Sequence, residues 1–172
     1  IKKEIKKVEV KNPVVIVGLP GIANVARITV DFLIENLEAE EIVEYYSKHF
    51  PALVIIDEDS SVKLPRISVY HKKVGGTDYL FVIGDVQPSD EHNYELCEEI
   101  VKDFNPSKII TVGGIASPER PKKSRVHIAF NHESFVEELG DYDVLFDGNE
   151  VVSLNIGAAG VMLGVGALQG VK

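Results

Sequence analysis

The sequence has one cysteine, one methionine and no tryptophan among 172 residues, and only 18 lysines and arginines against 27 acidic residues. A single thiol, Cys97, excludes an internal disulfide and any thiolate zinc centre. The net charge of −9 repels phosphate backbones and anionic lipid surfaces, so neither nucleic acid nor a membrane is expected as a partner. Long apolar runs are missing too, because Gly, Asp or Pro interrupts each one short of the ~20 residues that span a bilayer. The opening Ile1-Lys2-Lys3-Glu4-Ile5-Lys6-Lys7 lacks the continuous apolar centre of a secretory signal, which points to a cytoplasmic location. The chain starts without Met and stops in a glycine-rich apolar stretch, so it reads as trimmed, with a C-terminal tail expected beyond Lys172.

What is present is the composition of a globular domain, 45% hydrophobic and 26% charged. Strand-length apolar runs alternate with segments of helical period, the pattern of an α/β domain. Val14–Val17, Tyr79–Ile83 and Lys108–Val112 read as buried strands, and Glu41–Tyr46, Leu53–Ile56 and Arg66–His71 as neighbouring antiparallel ones. A helix is predicted over Val25–Leu37, with Val25, Ile28, Thr29, Phe32, Leu33 and Leu37 near the i, i+3, i+4, i+7 spacing. Ala26, Val30 and Ile34 make a second side apolar, so this helix is either sandwiched in the core or placed at a subunit contact. A second helix carries Cys97, Ile100, Val101 and Phe104 on one face and is closed by Asn105-Pro106. Val126–Phe130 and Val144–Phe146 read as short strands flanking a helix that ends at Leu139, and a small-residue helix follows Asn155–Gly160. One α/β/α sandwich with a mixed sheet accounts for residues 1–172.

Candidate chemistry is thin. Gly18-Leu19-Pro20-Gly21 joins a strand to a helix and could offer backbone N–H groups to an anion, yet it lacks the endings of phosphate and dinucleotide loops. Gly113-Gly114 closes a second strand; if the two strands are parallel, both turns flank one crevice, where open α/β sheets place ligands. The simpler reading of both is a turn that needs glycine. Asp85, Asp90, Glu91 and His92 surround one strand-to-helix turn, enough in principle for acid–base or metal chemistry, but helix capping and solvation are the stronger explanation. The histidines show no ligand spacing, Ser117 lies in no nucleophile elbow, and Cys97 falls on an apolar helix face. No catalytic residue, metal or cofactor is expected, and Gly18, Gly21, Asp85, Gly113 and Gly114 are left as the one candidate pocket. Residues 116–125 form a locally basic loop, and Gly157–Val171 is small and apolar enough for tight packing or a subunit contact.

Four blocks then stand together: Val17–Ala26, Phe81–Pro88, Thr111–Ala116 and Asn155–Gly164. In this order the chain resembles the proteasome assembly chaperone family, in the branch of the second assembly chaperone and its archaeal homologues, over residues 12–170. The resemblance implies a phosphorylase-like α/β/α fold without established catalytic residues. It also implies self-association and ATP-independent binding to proteasome subunits, α subunits foremost, and leaves open whether a second assembly chaperone takes part. A hydrophobic-Tyr-X ending that some archaeal members use is absent from Gly170-Val171-Lys172. The rival expectation is a small-molecule binding protein or enzyme, for a nucleotide or nucleoside, with its pocket at the Gly18–Gly21 and Gly113-Gly114 turns.

Overall fold

The computed structural model describes residues 1–116, 123–147 and 157–172. Along the chain come β1 (Lys2–Glu4), β2 (Val14–Gly18), α1 (Val25–Leu37), β3 (Glu40–Tyr45), β4 (Ile55–Ile56), β5 (Val62–Lys63), β6 (Ile67–Val74) and β7 (Thr77–Gly84). They are followed by α2 (Asn93–Phe104), β8 (Lys108–Thr111), β9 (Val126–His127), α3 (Ser134–Leu139), β10 (Val144–Leu145) and α4 (Ala158–Leu168). Six strands form one sheet in the order β1-β3-β6-β7-β2-β8. β7, β2 and β8 run parallel, whereas β1, β3, β6 and β7 pair antiparallel, so the sheet is mixed.

Strand alternation sorts β7 between two cores. Leu80 and Val82 face α2 and α4, packing with Cys97, Ile100, Met162 and Val165. Phe81 and Ile83 face α1 through Val30 and Ile34. Each such buried aliphatic or aromatic side chain stabilises the fold by about 1.5–3 kcal/mol. Helices on both faces of the sheet make the expected three-layer α/β/α sandwich. α2 ends where the sequence indicates, at Asn105 in the left-handed region (φ 43°), whose N–H donates to the Val101 carbonyl at 2.9 Å.

Four details differ from the sequence reading. α1 has the expected bounds but uses its two apolar sides unequally: Ala26, Val30 and Ile34 are buried and Leu33 and Leu37 pack against the same core, while Ile28 and Phe32 are 63% and 61% exposed. The reason is a close approach, since a Cβ at Gly18 would stand 2.5 Å from both the Ala26 carbonyl oxygen and Val30 Cγ2. Ala26 and Val30 are small enough to let the helix come that near to β2; the larger Ile28 and Phe32 would hold it off. Second, Ile55–Ile56 pairs with Val62–Lys63 in a separate ribbon and does not join the main sheet. Third, β8 is an edge strand with Ile109 buried and Ile110 exposed. Fourth, β1 is an unforeseen edge strand of charged residues, tied down by Lys3 Nζ on Glu44 Oε2 at 2.8 Å.

Candidate functional site

The connections leaving β2 and β7 diverge: α1 covers one face of the sheet and α2 the other. In open α/β sheets such a divergence marks the ligand crevice, at the carboxyl ends of the strands. The two glycine turns do flank one edge, because β2 and β8 are adjacent and parallel. Gly18, Gly21, Asp85, Gly113 and Gly114 all follow or end these strands.

The chain's own groups occupy much of this edge. Leu19 is buried, and a Cβ at Gly84 would stand 2.9 Å from its Cδ2. The Gln87 side-chain amide donates to the Pro20 carbonyl, and its Oε1 accepts from the Ala158 N–H at 3.1 Å. Gly157 sits at φ +98° with Gln87 Oε1 2.6 Å from where a Cβ would be, so glycine is required there twice over. The Cys97 thiol donates to the Ala158 carbonyl at 3.4 Å. Gln87 thus joins the first turn, the end of β7 and the start of α4; as a lone polar residue in a turn, it gave no sequence signal for this role.

The candidate residues divide by environment. Gly18 and Gly114 are close approaches of main chain, Gly114 to the Ile22 carbonyl at 2.6 Å from its would-be Cβ. Gly113 has nothing within 4 Å of that position, and Gly21 only the Leu19 carbonyl at 4.0 Å. Asp85 clips β7 to β6: its N–H donates to the Arg66 carbonyl at 2.9 Å and its Oδ2 accepts from the Arg66 N–H at 3.1 Å. Beside it a cavity of about 90 Å³ is lined by Arg27, Lys63, Arg66, Ser68 and Tyr70. Its cations are matched: Arg27 with Asp31 at 2.7 Å, Lys63 with Asp57 at 2.8 Å, and Arg66 with Glu41 at 3.7 Å and with the buried Glu44. At about 30 Å³ per water it has room for roughly three waters. Drug-sized ligands occupy pockets of about 300–1,000 Å³.

Among the described residues no group of three His, Cys, Asp or Glu side chains is placed to hold a metal ion. His92 stacks on His49 with centroids 3.4 Å apart, and its Nδ1 meets Ser89 Oγ at 2.8 Å. Asp90 lies within a 3-10 turn before α2, and no side-chain hydrogen bond caps that turn or the helix. Burial, with a smaller contribution from Glu98, pushes the Cys97 thiol up to about 12, so it is no nucleophile at neutral pH. Ser117, most of the basic loop and Asn155-Ile156 lie outside the described residues. Lys123 and Arg125, at the end of that loop, pair with Asp143 at 2.6 and 3.2 Å. No helix among the described residues is long and apolar enough to cross a membrane.

Among the described residues, two apolar surfaces are carried by α1 and by the β4–β5 ribbon. One is the outer stripe of α1, with Val25, Ile28 and Phe32. The other is one face of the β4–β5 ribbon, where Ile56 pairs with Val62 and Val54 and Leu64 flank them, each more than half exposed. Lys63 of this ribbon and Arg27 of α1 line the same cavity, so the ribbon and α1 are neighbours. Exposed apolar patches of this kind mark interaction sites. The sequence reading missed the ribbon, although Val54-x-Ile56 and Val62-x-Leu64 alternate on either side of the Asp57–Ser61 turn.

The sequence profile of the PAC2 family matches residues 15–172. The chain is similar to the crystal structure of PbaB from Pyrococcus furiosus, described as an archaeal proteasome activator, with a TM-score of 0.90 and 31% identity over 99% of this chain and 76% of that one. PbaA from the same organism, described as an archaeal homolog of proteasome-assembly chaperone, shares the fold at a TM-score of 0.78 and 23% identity, over 99% and 69% of the two chains. An uncharacterized protein of Methanocaldococcus jannaschii is 29% identical over 99% of this chain. The chain spans 67% of that relative's length and 57% of a second uncharacterized protein from the same organism.

Proposed function

The chain belongs to the PAC2 family, and on that premise we propose that it is an ATP-independent proteasome assembly chaperone or scaffold, acting in the cytoplasm as a homo-oligomer. It binds proteasome subunits, α subunits first, through surface patches and not through a catalytic pocket. The observation that carries this reading is the likeness to PbaB across 99% of the chain. The matched ion pairs and the Gln87 bridge at the sheet edge support it, since they engage the groups that catalysis would need free. Apolar surfaces beside charged rims are what subunit recognition uses.

PbaB is described as an activator, which favours a second reading: binding to the assembled proteasome and not to its free subunits. Native mass spectrometry of the protein with isolated α subunits, and separately with the assembled particle, divides the two. Nucleotide-free complexes with α subunits are expected. Binding confined to the assembled particle selects the activator reading, and no binding to either overturns both. A thermal shift with a nucleotide or nucleoside panel would instead move the assignment to a small-molecule protein.

A further inference from the structure

α1 carries its second apolar stripe on the side opposite the sheet. Val25, Ile28 and Phe32 follow the i, i+3, i+7 spacing of a seam that packs against another helix. The polar groups set among them are already satisfied within the helix. Thr29 Oγ1 donates to the Val25 carbonyl and Asn36 Nδ2 to the Phe32 carbonyl, both at 2.8 Å, while Arg27 and Asp31 pair at the flank. Covering the stripe therefore strands none of these groups.

Its area is that of a dimer contact. Ile22 and Ile115, 54% and 42% exposed, extend the stripe at its amino-terminal end, where Gly114 lies against Ile22 and Val25. With large apolar side chains presenting roughly 150–250 Å² each, the patch amounts to about 450 Å². One side of a standard-size protein interface buries about 800 Å², of which about 450 Å² is apolar.

We infer that this stripe is the contact with a second copy of the chain, the two α1 helices packing antiparallel across a two-fold axis near Ile28 and Thr29. The inference rests on the homo-oligomeric part of the reading above and is independent of proteasome binding. A second copy is chosen by complementarity. Glu35 lies one heptad after Ile28 on the same face, so in the antiparallel pair it comes level with Ile22, at the turn that leads into the partner helix. That helix has no acidic residue in its first turn and no side-chain cap, so its amino-terminal end favours an anion. The contact is isologous, so each copy supplies the carboxylate the other lacks.

Sedimentation velocity of the full chain and its variants at micromolar concentration is the test. The wild type is expected to assemble, and the double variant Ile28→Asp, Phe32→Asp to lose the two-fold step while keeping its far-UV circular dichroism, because both side chains are exposed. Glu35→Lys is expected to weaken the step about tenfold. Thr29→Cys is expected to cross-link copy to copy on oxidation, whereas the wild type, whose Cys97 is buried, is not. This keeps the inference falsifiable if the double variant does not fold. An oligomer that keeps its mass in the folded double variant, or Thr29→Cys oligomers that never cross-link, overturns this interface and leaves the homo-oligomeric reading standing. A wild-type monomer overturns both, and proteasome binding is read separately.

Discussion

Replacing Gly18 by alanine separates a glycine needed for packing from one needed by a ligand. The new Cβ would stand 2.5 Å from the Ala26 carbonyl oxygen and from Val30 Cγ2, and 2.7 Å from Val30 Cβ. Comfortable carbon contacts lie at about 3.5–4.0 Å, so α1 must retreat from β2 by about 1 Å. That retreat loosens Val30 and Ile34 from Phe81 and Ile83, the core of this face. Overpacking of this kind costs about 1–3 kcal/mol, and a clash with main chain places the variant in the upper half of that range. For a chain of this length Tm should fall by about 4–12 °C. Gly113→Ala is the matched control: with nothing within 4 Å of the added methyl, its stability should change by at most about 1 kcal/mol in either direction. Both variants are measured by thermal and urea denaturation at one protein concentration, because assembly raises apparent stability. A Gly18→Ala variant that melts within about 1 °C of the wild type would refute the packing account of the turn.

Three further outcomes are expected. Gln87→Ala breaks the bridge between Pro20 and Ala158 and should cost roughly 2–6 kcal/mol by denaturation, at about 1–3 kcal/mol for each group left unpaired; an unchanged urea midpoint would sink that account. Asp78 is held below the usual carboxylate range by its hydrogen bond with His71, then by the Lys11 N–H and Lys73, against the opposing effect of burial. Its contribution is complete above the unfolded value of about 3.9 and is lost as pH falls through the lower folded value, so Asp78→Asn should flatten the acid limb of a stability–pH curve; parallel acid limbs count against it. Cys97 should react with a maleimide only as fast as the protein opens, and rapid stoichiometric labelling of the native state at neutral pH would contradict its burial.

Local pattern made several elements legible. The 3.6-residue period gave α1 its bounds, and Asn105 before Pro106 marked the end of α2 because Asn tolerates the left-handed region and Pro cannot continue a helix. What the pattern left open was decided by contacts between distant residues. Both sides of α1 are apolar, and the choice between them rests on Gly18, seven or more residues earlier. β8 reads as a central strand from its composition, yet it lies at the sheet edge, where the Lys172 carbonyl accepts from the Ile109 N–H at 2.7 Å. β1 carries no apolar signal at all; ion pairs, not burial, hold Lys2 and Lys3. At the candidate site, glycine spacing correctly placed the turns at strand ends. It carried no information on whether a methyl group would meet main chain, as at Gly18 and Gly114, or open space, as at Gly113.

The same contacts set the energetic terms on which a ligand or a protein partner competes for this molecule. A small molecule entering between the first turn and the end of β7 would have to displace Leu19 and break the Gln87 bridge. Re-exposing a buried leucine costs about 1.5–3 kcal/mol and unpairing the bridged groups roughly 2–6 kcal/mol more. A penalty of at least about 3.5 kcal/mol weakens binding by more than about two orders of magnitude before any new contact is made. The α1 stripe and the β4–β5 face ask for no such rearrangement: their side chains already stand in solvent, and covering them is favourable at about 25 cal/mol per Å². The acidic Asp57-Glu58-Asp59 tip of the ribbon further selects a partner with a basic rim around an apolar centre, and disfavours a second copy of this −9 chain at that face. Charge thus distinguishes the two surfaces: the polar residues beside the stripe are satisfied within α1, whereas the ribbon carries acidic residues at its tip.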